Sequence, residues 1–352
     1  MEMMPSGVYN VKYEQEIAVI RTSPQWACLL GFLTLLFLLP LFISNHIISL
    51  LNLICVYIVA GLGVQVVTGY CGQLTMGQAA FVGFGAYSSA LLTIKLHIPF
   101  FVSIPLAAIL TGLVGILFAL PSVRIKGFYL AIASLAAHLI IIFMISAFPD
   151  LTGGTTFGLQ FPDIKIWDFI FNTDNRRWYL IMPITLLMVY LIKNLLRTKT
   201  GRGLIAVRDN DLAAEVMGIN IFRYKIIGFG ICSSCAGVAG VLWGVSQGLI
   251  HPEQFSVMDS IWYIAVIIIG GMGSIMGVIF GTIFLTVLDE VILGLAPVIS
   301  AWFPFLTKQA SASMSLFSYG LVIALFMMYE PRGLNHFWEY LKAKYRLWPF
   351  PQ

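Results

Sequence analysis

Charge is the scarcest feature of this chain. Asp, Glu, Lys and Arg make up 10% of its 352 residues, against about 25% in an ordinary soluble domain. Hydrophobic residues make up 59%. A soluble protein of this length needs a charged surface that is absent here, so the soluble classes are excluded. Charge is also missing in blocks. No Asp, Glu, Lys or Arg occurs from Trp26 to Ile94, and further uncharged runs cover 96–123, 127–149, 178–192, 226–252, 260–288, 291–307 and 309–329. A helix needs about 20 apolar residues to cross a hydrocarbon core about 30 Å thick. The first run is long enough for several such helices.

Other absences narrow the chemistry. The sequence has no G-x-x-x-x-G-K-[ST] loop to cradle nucleotide phosphates, so it does not hydrolyse ATP by that route. Its five His are scattered, without H-E-x-x-H spacing. Nothing in it activates a nucleophile, holds a metal or calls for a cofactor. Cys232 and Cys235 form a C-x-x-C, a spacing usually read as redox or metal-binding. Here the pair lies in a helix-length apolar run, where two small polarisable residues on one helix face explain it. The net charge of +4 does not point to nucleic acid, because the basic residues are interleaved with the apolar runs. The first 25 residues carry Glu2, Glu14 and Glu16 and lack the short apolar stretch of a cleavable signal.

What is present reads as an all-α, polytopic helical membrane protein of about ten spans. They are expected at 26–44, 47–67, 71–94, 98–120, 128–148, 178–196, 226–248, 259–276, 277–296 and 311–329. Residues 1–25 then form a cytoplasmic N-terminal segment, 26–333 the transmembrane domain, and 334–352 a cytoplasmic tail with Trp338, Tyr345 and Trp348 as interface anchors. Loop 149–177 falls outside and loop 197–225 inside. With both termini inside, inner segments hold 15 of the 20 Lys and Arg, as the positive-inside rule requires.

Two stretches break the pattern. Five glycines fall within 69–85, and Gly270, Gly271, Gly273 and Gly277 follow the eighth span. Each glycine costs about 1 kcal/mol against Ala in a helix interior. Irregular backbone at membrane depth is tolerated where it is buried in protein or lines a water-filled path. Gly69-x-x-Gly72-x-x-x-x-Gly77 echoes Gly270-x-x-Gly273-x-x-x-Gly277. Paired interruptions in two halves point to an internal repeat with the path at its interface; close helix packing explains them equally well. Gly69, Gly72, Gly77, Gly270, Gly271, Gly273 and Gly277 are therefore candidate path or hinge residues. Gln73, Thr75 and Gln78 are candidate path-lining groups, with helix–helix hydrogen bonding as the competing role.

The charged stretch between the apolar halves is Gly201–Asn220. Asp209, Asn210 and Asp211 suit a helix N-cap, and Gly218 suits the stop. The short helix between them sets Leu212, Val216 and Ile219 on one ridge. Such a ridge packs either into a partner's groove or against the chain's own inner surface.

The run from Thr200 to Asn220 resembles the cytoplasmic coupling loop of ABC-importer permeases of the branched-chain amino acid type, the LivM-type subunits of the LivH/LivM family. Ala213-Ala214-x-x-x-Gly218 is similar to the general importer loop, although Leu212 stands where the wider pattern has Glu. Stretches 69–87, 269–281 and 329–334 agree with the same family. The resemblance implies that Gly201, Arg202, Arg208, Asp209, Asp211, Leu212, Ala213, Ala214, Glu215 and Gly218 form an ATPase-coupling loop. It also implies a second related permease, two cytoplasmic ATP-binding subunits, an extracytoplasmic solute-binding protein and a bacterial or archaeal inner membrane. Family substrates are mainly Leu, Ile and Val; relatives carry urea or short amides. Two other classes stay open. A stand-alone ion-coupled carrier would use the intramembrane titratable residues Asp259, Asp289, Glu290 or His138. A membrane-embedded enzyme would need converging polar side chains that the sequence does not place at one depth.

Overall fold

The computed structural model describes residues 23–122, 127–162, 164–166, 169–171, 173–302, 320–326, 328–330 and 333–347. The segment 1–22, Arg124, Lys126, Lys308, most of the expected tenth span and Trp348 lie outside them. The chain divides into two compact units, Met1–Ile48 and Ser49–Gln352.

In the first unit, helix α1 (Ser23–Phe42) carries no charged residue. It exposes Phe32, Leu35, Leu41 and Phe42. An uncharged helix with apolar residues exposed all round suits lipid rather than water.

The second unit holds the bundle. Its helices are α2 (Asn45–Val64, which begins in the first unit), α3 (Gln78–Lys95), α4 (Phe100–Ser122) and α5 (Phe128–Ala147). After two single-turn helices α6 (Pro149–Thr152) and α7 (Gly154–Phe157) come α8 (Asp174–Arg197), α9 (Lys199–Asp209), α10 (Asp211–Val216) and α11 (Ile221–Gln247). Then follow α12 (Val257–Gly270), α13 (Ile275–Trp302) and α14 (Leu334–Leu347). Among the described residues, seven helices are long and apolar enough to cross a membrane. Sheet among the described residues is confined to two-residue pairs: Leu159–Gln160 with Leu249–Ile250, and Lys165–Ile166 with Phe169–Ile170.

The centre is α11, which packs against α3 and α4. Glycine permits this closeness: a Cβ on Gly85 would sit 2.5 Å from the Cα of Gly237. Lipid gives helices no hydrophobic reason to associate, so close backbone packing does the work. A buried cluster including Leu62, Val66, Leu204, Ile269 and Leu285 joins α2, α9, α12 and α13.

Several span boundaries differ from expectation. The eighth helix ends at Gly270 rather than 276, and the ninth begins at Ile275 rather than 277. Gly271 and Gly273 adopt positive φ (113° and 85°), a backbone that L side chains rarely adopt, so the helix stops at the first of them. The third span is helical only from Gln78. Residues 71–77 run as irregular chain after a wide π turn at Gln65–Tyr70.

Candidate functional site

Two helix breaks face each other, and one arginine lies between them. At the first, the π turn leads into Gly72, whose φ is +70°. A helix start leaves backbone N–H groups without partners, and in a membrane these must be met by protein. Here neighbouring helices supply them. Ser134 Oγ on α5 accepts from Met76 N at 2.8 Å, and Ser260 Oγ on α12 accepts from Ala79 N at 3.0 Å. At the second break, Ser274 Oγ accepts from Gly277 N at 3.3 Å.

The breaks are tied to one another. Gln65, fully buried, donates through Nε2 to the carbonyls of Ser274 (3.1 Å) and Gly271 (3.4 Å). Arg208, near the end of α9, donates through Nη1 to the Gly69 carbonyl at 2.9 Å. Its stem lies against Gly72, and a Cβ on Gly273 would stand 3.0 Å from Nη1. Asp209 Oδ1 accepts from Nε and Nη2 of the same guanidinium at 2.9 and 2.8 Å. That exposed pair adds little stability, but it fixes the direction of the arginine. A charge-assisted hydrogen bond such as that to Gly69 contributes about 1.5–3 kcal/mol. The second break also borders a cavity of about 470 Å³, lined by Tyr70, Lys193, Met272, Gly273, Ser274 and His336 among others.

The segment 199–220 folds back onto this site. Gly201 sits at a corner where a side chain would meet the backbone of Leu196, and Arg202 points outward. Leu204 and Val207 are buried. Asn210 is the N-cap of α10 and accepts from Ala213 N at 3.1 Å. Gly218, at φ +81°, closes it, with Ile219 N donating to the Ala214 carbonyl at 2.9 Å. Asp211 pairs with the buried ammonium of Lys225 at 3.2 Å. Leaving that ammonium unpaired would cost several kcal/mol, so the pair anchors α10 to α11. Ala214 is buried, whereas Ala213 and Glu215 are exposed.

The expected ridge is corrected in one member. Leu212 and Val216 are exposed, 71% and 87%. Ile219, beyond the helix stop, turns inward and packs on the core cluster. Met217 takes its place on the outer face at 81% exposure.

The three polar candidates near the first break are all buried. Gln78 donates to the Ala60 carbonyl at 2.8 Å and accepts from Cys232 Sγ at 3.1 Å. Thr75 Oγ1 accepts from Gly77 N, and the Gln73 carbonyl accepts from Thr68 Oγ1. The Gln78 and Thr75 side chains bond within the bundle. The Gln73 contact is through its main-chain carbonyl, and its buried Oε1 has no hydrogen-bond partner among the described residues. Gln78→Leu is therefore expected to destabilise the protein by about 1 kcal/mol, read in a detergent unfolding series. A path-lining role would instead change uptake with unfolding unmoved.

Gly270 and Gly277 meet where α12 and α13 fold into a hairpin, each leaving no room for a Cβ beside the other's carbonyl. The C-x-x-C is two buried free thiols on α11, and the described residues contain no cluster able to hold a metal ion. His138 is buried on α5 with Nδ1 3.4 Å from Ser260 Oγ. Asp259 accepts from Ser256 N and Oγ in a capping box at the start of α12. Sequence reading missed Gln65, Ser134, Ser274 and Lys225. The signal for Gln65 was present: it is one of two amide side chains, with Asn52, in the apolar run 47–67.

Comparison with known proteins agrees with this architecture. A family described as "Branched-chain amino acid transport system / permease component" matches residues 46–329. The high-affinity branched-chain amino acid transport system permease protein LivM of Escherichia coli K12 is 29% identical over 336 residues, covering 89% of this chain and 75% of that protein. A probable LivM permease of Methanocaldococcus jannaschii is 27% identical over 242 residues, 66% and 67% of the two chains. The autoinducer 2 import system permease LsrC of Salmonella typhi is 30% identical over 131 residues, 36% of each. No solved structure matches. A multi-pass helical bundle whose glycine breaks at 69–77 and 270–277 fall within the matched region is a member of this family: the chain belongs to the branched-chain amino acid transport permease components.

Proposed function

We propose that this chain is the membrane subunit of an ATP-driven importer of branched-chain amino acids. It forms the path and does no chemistry of its own. Its partners are a second related permease, two cytoplasmic ATP-binding subunits and an extracytoplasmic binding protein. Ten spans place both termini in the cytoplasm, with loop 197–225 inside and loop 149–177 outside. The observation that carries the reading is the outer face of α10. Leu212, Val216 and Met217 are exposed on a helix held by its cap, by Gly218 and by the Asp211–Lys225 pair. A capped helix with an exposed apolar face fits insertion into a partner's groove.

Force applied to α10 passes through α9 to Arg208, and from there to both helix breaks. Gly69, Gly72, Gly271 and Gly273 then act as hinges rather than as lining. Substituting Asp for both Leu212 and Val216 is expected to abolish co-purification of the ATP-binding subunits while the permease still elutes as a folded species. Retention of those subunits at wild-type levels would remove the coupling role from α10.

A further inference from the structure

A second cavity, of about 430 Å³, lies at the end of α12 away from Arg208. Its wall includes Tyr57 on α2, Trp243 on α11, Asp259, Trp262 and Tyr263 on α12, and Asp289 on α13. Tyr57 is the hub of the rings. Its centroid lies 4.5 Å from Trp262, 5.8 Å from Trp243 and 5.9 Å from Tyr263.

The charges in this wall do not balance. Two carboxylates line it, with no Lys, Arg or His among the described residues that border it. Asp259 spends Oδ2 on its capping box. The indole N–H of Trp243 is buried and has no hydrogen-bond partner among the described residues. Carboxylates at membrane depth are expensive and are normally paired. Aromatic faces attract cations, more strongly when desolvated. The volume lies within the range of small-ligand pockets.

We infer that this cavity is a transit site for the ammonium group of a small apolar α-amino acid. Asp259 and Asp289 compensate the positive charge, and the ring faces take both the ammonium and the apolar side chain. The Trp243 N–H is left for the substrate carboxylate. The inference rests on the import reading and names which part of the substrate this subunit recognises.

The test uses the assembled transporter in nanodiscs without its binding protein. Three probes are titrated against tryptophan fluorescence: L-leucine, 3-methylbutylamine (leucine without the carboxylate) and 4-methylpentanoate (leucine without the amine). Leucine and the amine are expected to bind and the acid to fail. Asp259→Asn, and separately Asp289→Asn, are expected to weaken amine binding about tenfold or more, the loss of one charge-assisted contact. Thermal melting of each variant establishes folding, and Asp289 serves if loss of the Asp259 cap unfolds α12. Equal binding of the acid, or unchanged amine binding in both variants, overturns the inference. So does leucine uptake into proteoliposomes driven by a proton gradient without ATP and lost in Asp259→Asn or Asp289→Asn, which would make the carboxylates a proton relay. Absence of ATP-driven leucine uptake by wild-type proteoliposomes supplied with the binding protein would defeat the import reading, while the amine titration still decides the cavity.

Discussion

Arg208→Ala is expected to lower ATP-driven uptake about 30-fold while ATP hydrolysis by the assembled transporter continues. The magnitude follows from one contact. The guanidinium donates to the Gly69 carbonyl at 2.9 Å, and a charge-assisted bond of this kind contributes about 2 kcal/mol, or about 30-fold in an equilibrium. It is the direct hydrogen bond from α9 to the first break, and the same side chain lies against Gly273 in the second. Without it, α9 is free to move without drawing the breaks along. Arg208→Lys is expected not to rescue. A lysine ammonium is a point charge, and it lacks the planar fork that reaches Gly69 and Asp209 at once. The measurement is the ratio of solute imported to ATP hydrolysed in proteoliposomes. Uptake at the wild-type ratio in Arg208→Ala would show that force reaches the breaks by another route.

Gly277→Val is expected to destabilise the folded subunit by about 3 kcal/mol or more, the upper range for overpacking. A Cβ at Gly277 would lie 2.7 Å from the carbonyls of both Gly270 and Gly271, and one at Gly270 would meet the Gly277 carbonyl in return. Both neighbours are backbone, so no side chain can swing aside. Separating α12 from α13 has no hydrophobic compensation in lipid. Gly294→Ala is the control. It lies on the same helix with nothing within 4 Å of its Cβ, so it is expected to be neutral or slightly stabilising. Comparing the two in a detergent unfolding series separates the close approach from the general cost of changing a glycine. Equal stability of both variants would mean that the hairpin is held elsewhere.

Much of the site was legible because each signal is local. Asn210 at the cap and Gly218 at the stop follow from side-chain and backbone chemistry within a few residues. The glycine breaks were visible because no apolar helix needs so many glycines. What local signals left open has a common origin. Leu212, Val216 and Ile219 share a face only if the helix continues to 219, and Gly218 ends it first. Gln73, Thr75 and Gln78 were candidates both for path lining and for helix–helix hydrogen bonds because they are polar at membrane depth. Whether such a group faces water or a neighbouring helix depends on residues far away, such as Cys232, 154 positions from Gln78.

The sequence by itself determined that this is a helical membrane protein, where most of its apolar runs become helices, and where those helices break. These follow from composition and from conformational preferences that act over a few residues. Only the tertiary structure decided that the two glycine breaks are neighbours, that Gln65 and Arg208 join them, and that Trp243, Asp259, Trp262, Tyr263 and Asp289 share one cavity with the distant Tyr57. A hydrogen bond spanning 139 positions leaves no periodic trace in the chain, because its two ends meet only when the helices between them have packed.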